Sequence, residues 1–197
     1  MVSKRDKVPQ LGFWDDEVSA PTHDKIVMWA YNNADLLVRK FLTQFPDRMH
    51  YDALNDIFTP EDIEGGHDLP KADISPLPPK PLSLVAKKIL EPVIKRHPEH
   101  GRGMPQILGY ADLVITWNEQ HVWWSSTDTK WNISVRERPI LVEVKTKLPS
   151  MGELLRQINL YREVYQNVIV IAPNADYADI LLEQHILFIQ YPGEPKN

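Results

Sequence analysis

The chain has 197 residues, 43% of them hydrophobic and 25% charged, and its 22 Lys and Arg against 27 Asp and Glu leave a net charge of −5. That length suits one domain with a small extension, and the composition excludes collagen-like, coiled-coil and wholly disordered chains. With no cysteine, disulfide frameworks, thiolate zinc sites, iron–sulfur clusters and cysteine nucleophiles drop out.

The N-terminal MVSKRDKVPQLGFWDDE lacks the apolar stretch of about 7–15 residues that marks a signal peptide. No run approaches the roughly 20 apolar residues needed to cross a bilayer, so a soluble, cytoplasmic protein with no membrane partner is expected. Overall acidity weighs against nucleic-acid binding through bulk charge. Residues 80–103 are the exception, with Lys80, Lys87, Lys88, Lys95, Arg96 and Arg102 against Glu91 and Glu99. Such a stretch can meet phosphates or form a solvated face.

In chain order, Val27, Tyr31, Ala34, Val38, Phe41 and Phe45 recur at spacings of three and four, which predicts one amphipathic helix over 24–45. Thr22 or Asp24 can cap its start and Pro46 closes it. Residues 46–81 are acidic, then proline-rich, and read as a connecting arm. Residues 1–82 are therefore expected to be a helical N-terminal extension with a Pro-rich connecting arm, and 83–197 an α/β core.

Ser83 can cap a second helix containing Leu84, Val85, Ile89 and Leu90, which Pro92 must kink or end. From Ile107 the texture changes to strands at 107–117, 121–125, 131–136 and 139–148, with turns at Asn118–Gln120 and Ser126–Lys130. Ser150 and Glu153 form a capping-box pair opening a helix with the stripe Met151, Leu154, Ile158, Tyr161 and Tyr165. A buried strand at Val168–Ala172, a helix near 175–184 and a strand near 186–191 follow. Alternating strands and helices at this end imply parallel crossovers, while 121–136 reads as an antiparallel hairpin. The expected fold class is α/β, a mixed central β-sheet flanked by helices.

Two positions carry chemistry. Asp112 lies within a nearly uncharged apolar strand, where an unpaired carboxylate would cost several kcal/mol and so demands a cation, a metal or strong donors. In the strand from Ile140 to Leu148, the period of two puts Glu143, Lys145 and Lys147 on one face and Val142, Val144 and Thr146 on the other. If the two strands lie close, one acid from each can hold a divalent cation beside the lysine. Magnesium suits such a site, because it binds oxygen and commonly takes one or two carboxylates plus waters.

Asp112, then Glu143-x-Lys145 on a strand, then a helix with Gln157-x-x-x-Tyr161 resembles the PD-(D/E)XK nuclease superfamily, and Gly109-x-x-Asp112 with the glutamine–tyrosine helix is similar to its RecB-like branch. The resemblance spans 83–191. A Trp123–Trp124 hairpin lengthens the interval between Asp112 and Glu143, and Ala111 stands where the family has proline. The resemblance implies a restriction-endonuclease-like fold and a Mg²⁺-dependent nuclease acting on DNA, with Mn²⁺ able to substitute. Asp112, Glu143 and the Val144 carbonyl would ligate the metal, Lys145 would orient the attacking water, and Gln157 would fix the site or the substrate backbone. The family's acid on the preceding helix would fall on Glu91, and the upstream histidine of the RecB-like branch on His97 or His100. Lys87, Lys88, Lys95, Arg96, Arg102, Lys147 and Tyr161 are the nucleic-acid-binding candidates. A homodimer or a larger protein assembly stays open.

Other motifs are weaker. His97-Pro-Glu-His100 is a loop and a poor zinc pair, and neither a P-loop lysine pattern nor a Gly-x-Ser-x-Gly elbow occurs. Trp117, Trp123, Trp124 and Trp131 cluster around the hairpin as core or as base-stacking surfaces. Two rival readings keep their place: a degenerate nuclease module that binds nucleic acid or a protein partner, and an adaptor that docks through the acidic 46–81 arm.

Overall fold

The computed structural model describes residues 22–45, 63–64, 82–98, 103–125 and 130–193. In chain order the elements are α1 (His23–Asn32), α2 (Ala34–Gln44), β1 (Ile63–Glu64), β2 (Val85–Leu90), β3 (Val93–Arg96), β4 (Gln106–Tyr110), β5 (Leu113–Ser125), β6 (Lys130–Val144), α3 (Met151–Arg162), β7 (Asn167–Ala172), α4 (Ala178–Glu183) and β8 (Leu187–Gln190). The class is α/β with a mixed sheet, as the alternation of strands and helices predicted. Among the described residues, no helix is long and apolar enough to cross a membrane. The acidic arm, apart from 63–64, lies outside the described residues, as do Lys80, Glu99, His100 and Arg102.

β5 and β6 form the spine, paired antiparallel from Leu113 opposite Val142 to Ser125 opposite Lys130. β7 and β8 add in parallel beside β6. On the other side of β5, β2 runs antiparallel and β1 parallel, the two sharing that edge at different heights. The strand alternation sorts the interior into two layers. Leu113, Ile115, Trp117, Ile140, Val142 and Ile169 turn toward α1 and α2. Val114, Leu141, Val168 and Val170 turn toward α3 and α4. Residues from both sides of position 82 share the first of these layers.

Several local expectations need correction: the strand expected at 107–117 is two, β4 and β5, parted at Ala111 and Asp112, and the strand expected at 139–148 ends at Val144. The predicted single helix is two, broken at Asn33, whose side-chain amide donates to the Trp29 carbonyl at 2.8 Å while its backbone has left helical geometry (φ −104, ψ 24). Asparagine offers the chain this local alternative to the helical ladder. Residues 85–90 are a strand, not a helix: VAKKIL has no strong preference of its own, and β5 offers an edge that a strand can complete. Ser83 caps nothing helical; its hydroxyl donates to the Val85 carbonyl at 3.1 Å. Finally, Asn118–Gln120 is continuous strand. Gln120 is fully buried because its amide stands in for a missing neighbour, accepting from the Leu82 N–H at 2.6 Å and donating to the Leu82 carbonyl at 3.0 Å.

One feature positions the site. β2 and β3 pair with β5 and β4 as a single antiparallel ribbon, Leu90 opposite Leu113 and Val93 opposite Tyr110, so the register runs unbroken through the intervening residues. The ribbon bends there. Glu91 takes φ 50, a left-handed conformation uncommon without glycine. Its amide donates to the Asp112 carbonyl at 3.0 Å, and the Ala111 amide to the Pro92 carbonyl at 3.2 Å. The bend swings β3 and β4 off the sheet and onto α3, burying Ile94 beside Tyr161.

Candidate functional site

Asp112 sits in that bend, where β5 begins, and β6 ends at Val144 beside it. Past the pair Leu113–Val142 the chain before β5 departs, so the Val144 amide loses its strand neighbour. The Asp112 carboxylate takes the missing acceptor's place, Oδ2 lying 2.7 Å from the Val144 nitrogen. Its other oxygen, Oδ1, is 3.2 Å from His23 Nε2 at the start of α1. Asp112 is 2% exposed. Burial of this kind is tolerated only with such partners.

Glu143, 3% exposed, precedes Val144 on the face turned toward α3. Its Oε1 accepts from Lys145 Nζ at 2.8 Å and from Gln157 Nε2 at 2.8 Å. The alternation puts Lys145 on the same face as Glu143. The lysine's side chain keeps 22% of its surface exposed. Gln157 is held in turn by α3, whose start is fixed by the Ser150 hydroxyl accepting from the Glu153 amide at 3.4 Å. Gln157 also bonds the Tyr161 hydroxyl at 2.9 Å, four residues on and therefore on the same helix face. Tyr161 Oη donates onward to the Tyr110 carbonyl at 3.2 Å. A chain of hydrogen bonds thus runs from β4 through α3 to Glu143.

The structure brings Asp112, Glu143, Lys145 and Gln157 to one end of the sheet, at the C-terminal ends of the parallel strands β6 and β7, where α/β sheets commonly hold ligands. Glu91 shares the bend with Asp112 through its backbone and has an exposed side chain. Tyr161, expected among the nucleic-acid contacts, is only 5% exposed and belongs to the interior. Lys88 is engaged with α1: its Nζ donates to the Tyr31 carbonyl at 3.1 Å and lies 4.0 Å from the centre of the Tyr31 ring. Lys87, Lys95, Arg96 and Lys147 are exposed. Trp117 is core at 1% exposure and Trp131 is half-buried.

The histidine beside Asp112 is His23, not His97. Exposed His97 follows β3 and lines a cavity of about 250 Å³ with Arg96, Pro98, Met104 and Gln106. Nothing in the sequence pointed to His23, because it opens a helix far from Asp112 along the chain and only the packing of α1 on the sheet joins them.

Among the described residues, no three His, Cys, Asp or Glu side chains converge on one point. Asp112 reaches His23 on α1 and Glu143 reaches Gln157 on α3, so a cation held by both would need the two carboxylates to turn to one point at the sheet end; two hard oxygens with waters would suit magnesium there. No family model, no curated protein and no solved structure matches the chain.

Proposed function

We propose that the chain is a metal-dependent nuclease that hydrolyses the phosphodiester bonds of DNA, built on a restriction-endonuclease-like sheet. One observation carries this reading: two buried carboxylates from adjoining strand ends, with Lys145 and Gln157 both bonded to the same oxygen of Glu143. Asp112, Glu143 and the Val144 carbonyl are the groups that would hold Mg²⁺. When bound, the ion would polarise the phosphate and make a water nucleophilic near neutral pH.

The chain's own groups have separable tasks. The Val144 amide and His23 fix the Asp112 carboxylate in orientation. Gln157 fixes Glu143, so the acid cannot rotate away from the sheet end. Lys145, partly open to solvent, can hold a water beside Glu143 and offset charge that builds on the phosphate. Exposed Lys147, in the bend that follows β6, adds positive charge near this end of the sheet.

The deciding assay incubates linear, circular and single-stranded DNA, with RNA as a control, in Mg²⁺ and in EDTA. Cleavage is expected only with the metal. Glu143→Ala and Lys145→Ala are each expected to lower it by about 10²- to 10³-fold or more, with circular dichroism unchanged. Either variant cutting as well as wild type in Mg²⁺ overturns the assignment.

A second reading, a degenerate module that keeps the fold and binds without cutting, draws on the way protein groups already hold both carboxylates. Calorimetric titration with Mg²⁺ or Mn²⁺ separates the two. Binding that disappears in Asp112→Asn supports the nuclease; no Asp112-dependent binding supports the module.

A further inference from the structure

The bent ribbon has two faces. Ile94 and Gly109, directly opposed in the register, face α3, and a Cβ on Gly109 would lie 3.0 Å from the Tyr161 ring. Val93, Lys95 and Tyr110 on either side of them therefore face outward, while Leu108, left over where the register shifts between Ile94 and Lys95, packs toward α3. Val93 and Tyr110 are cross-strand partners, and Lys95 is opposite Ile107 one step farther out. All four are exposed, Tyr110 at 54% and Ile107 at 57%. An aromatic ring, two aliphatic side chains and an ammonium thus share one open face. Tyr110 lies only two residues from Asp112, within about 7 Å of chain, and its carbonyl is tied to Tyr161.

A ligand matched to this face has flat apolar surfaces joined by regularly spaced negative charges. Duplex DNA hides its bases in the stack, whereas a single strand offers them. We propose that the outer face of the β3–β4 ribbon is a docking platform for unpaired nucleotides, Tyr110 and Val93 receiving a base and Lys95 a phosphate. The platform delivers the strand toward the sheet end that bears Glu143 and Lys145, and in this respect it rests on the reading of the chain as one that acts on DNA. Because the backbone of Tyr110 is locked by Tyr161 while its ring is open, the platform is rigid where it meets the site.

The test measures binding apart from cutting. A fluorescent single-stranded oligonucleotide, its blunt duplex and an RNA of the same sequence are titrated by anisotropy in EDTA. Tyr110→Ala is expected to weaken the single strand about 5- to 100-fold and the blunt duplex less than about 2-fold, while Tyr110→Phe keeps wild-type affinity for both. Lys95→Ala should flatten the salt dependence by about one charge. Wild type that fails to bind the single strand, or Tyr110→Ala that binds it equally well, overturns the platform. So does an equal loss on single strand and duplex. RNA bound as tightly as DNA supports it, because the face reads base planes rather than the sugar. Tyr110-dependent binding without metal-dependent cleavage leaves the platform standing and removes the nuclease; cleavage with binding indifferent to Tyr110 does the reverse.

Discussion

The bend around Asp112 and the end of β6 around Glu143 bury carboxylates to the same degree by different means. Asp112 is held by a backbone amide and by a histidine from another layer, so it is part of how the sheet ends. Glu143 is held by two side chains, Lys145 and Gln157, each capable of moving without disturbing a strand. The first acid is tied to the fold and the second to the site. A carboxylate that caps a ladder cannot be removed cheaply, whereas one held by side chains can be changed with the scaffold intact.

The largest effect is therefore expected from Asp112→Ala. It leaves the buried Val144 amide without its acceptor and takes away the partner of His23, for a loss of about 3 kcal/mol in denaturant unfolding, with His23 discounted for its solvent exposure. Asp112→Asn, which keeps an oxygen for the amide, should lose about half as much. Glu143→Gln should lose about 1 kcal/mol, since its amide oxygen can still accept from Lys145 and Gln157. Equal losses at positions 112 and 143 would erase the contrast between the two regions.

The contrast also marks what could be read in advance. Glu143 and Lys145 share a face because strand alternation is a property of the local chain, and the capping pair at Ser150 and Glu153 placed Gln157 on its helix for the same reason. The embedded charge of Asp112 announced a need for partners, but not which ones. His23 was hidden because it meets Asp112 only through tertiary packing. The strand at Val85–Leu90 was hidden because its sequence is locally ambivalent and β5 decides it. The bend itself has no glycine to signal it; Glu91 is held at φ 50 by the hydrogen bonds on either side of the ribbon.

The support behind Glu143 can be probed from its far end. In Gly109→Ala the new methyl would stand 3.0 Å from Tyr161 Cε1 and 3.2 Å from its hydroxyl, so the ring must give way. About 1–2 kcal/mol of stability should be lost. Tyr161→Phe removes only the hydroxyl shared with Gln157 and the Tyr110 carbonyl, for about 1 kcal/mol. Since both variants disturb the same hydroxyl, the double variant should lose less than the two single losses together. Strict additivity in melting experiments would show that Gly109 and Tyr161 act independently.

The smallest effect is expected at the far end of the ribbon, where Arg96 reaches Glu163 just past α3 at 2.5 Å and also contacts Gln106. The pair looks like a clasp holding the ribbon to the helix. Its side chains are 50% and 38% exposed, however, so water and salt screen the attraction, and ordering two long side chains offsets much of what remains. What anchors the ribbon is instead the buried contact of Ile94 and Gly109 with α3, which no salt can screen. Arg96→Ala should therefore shift stability by at most about 0.5 kcal/mol. A loss above about 1.5 kcal/mol that fades in high salt would instead show that the ribbon's position depends on charge at its tip.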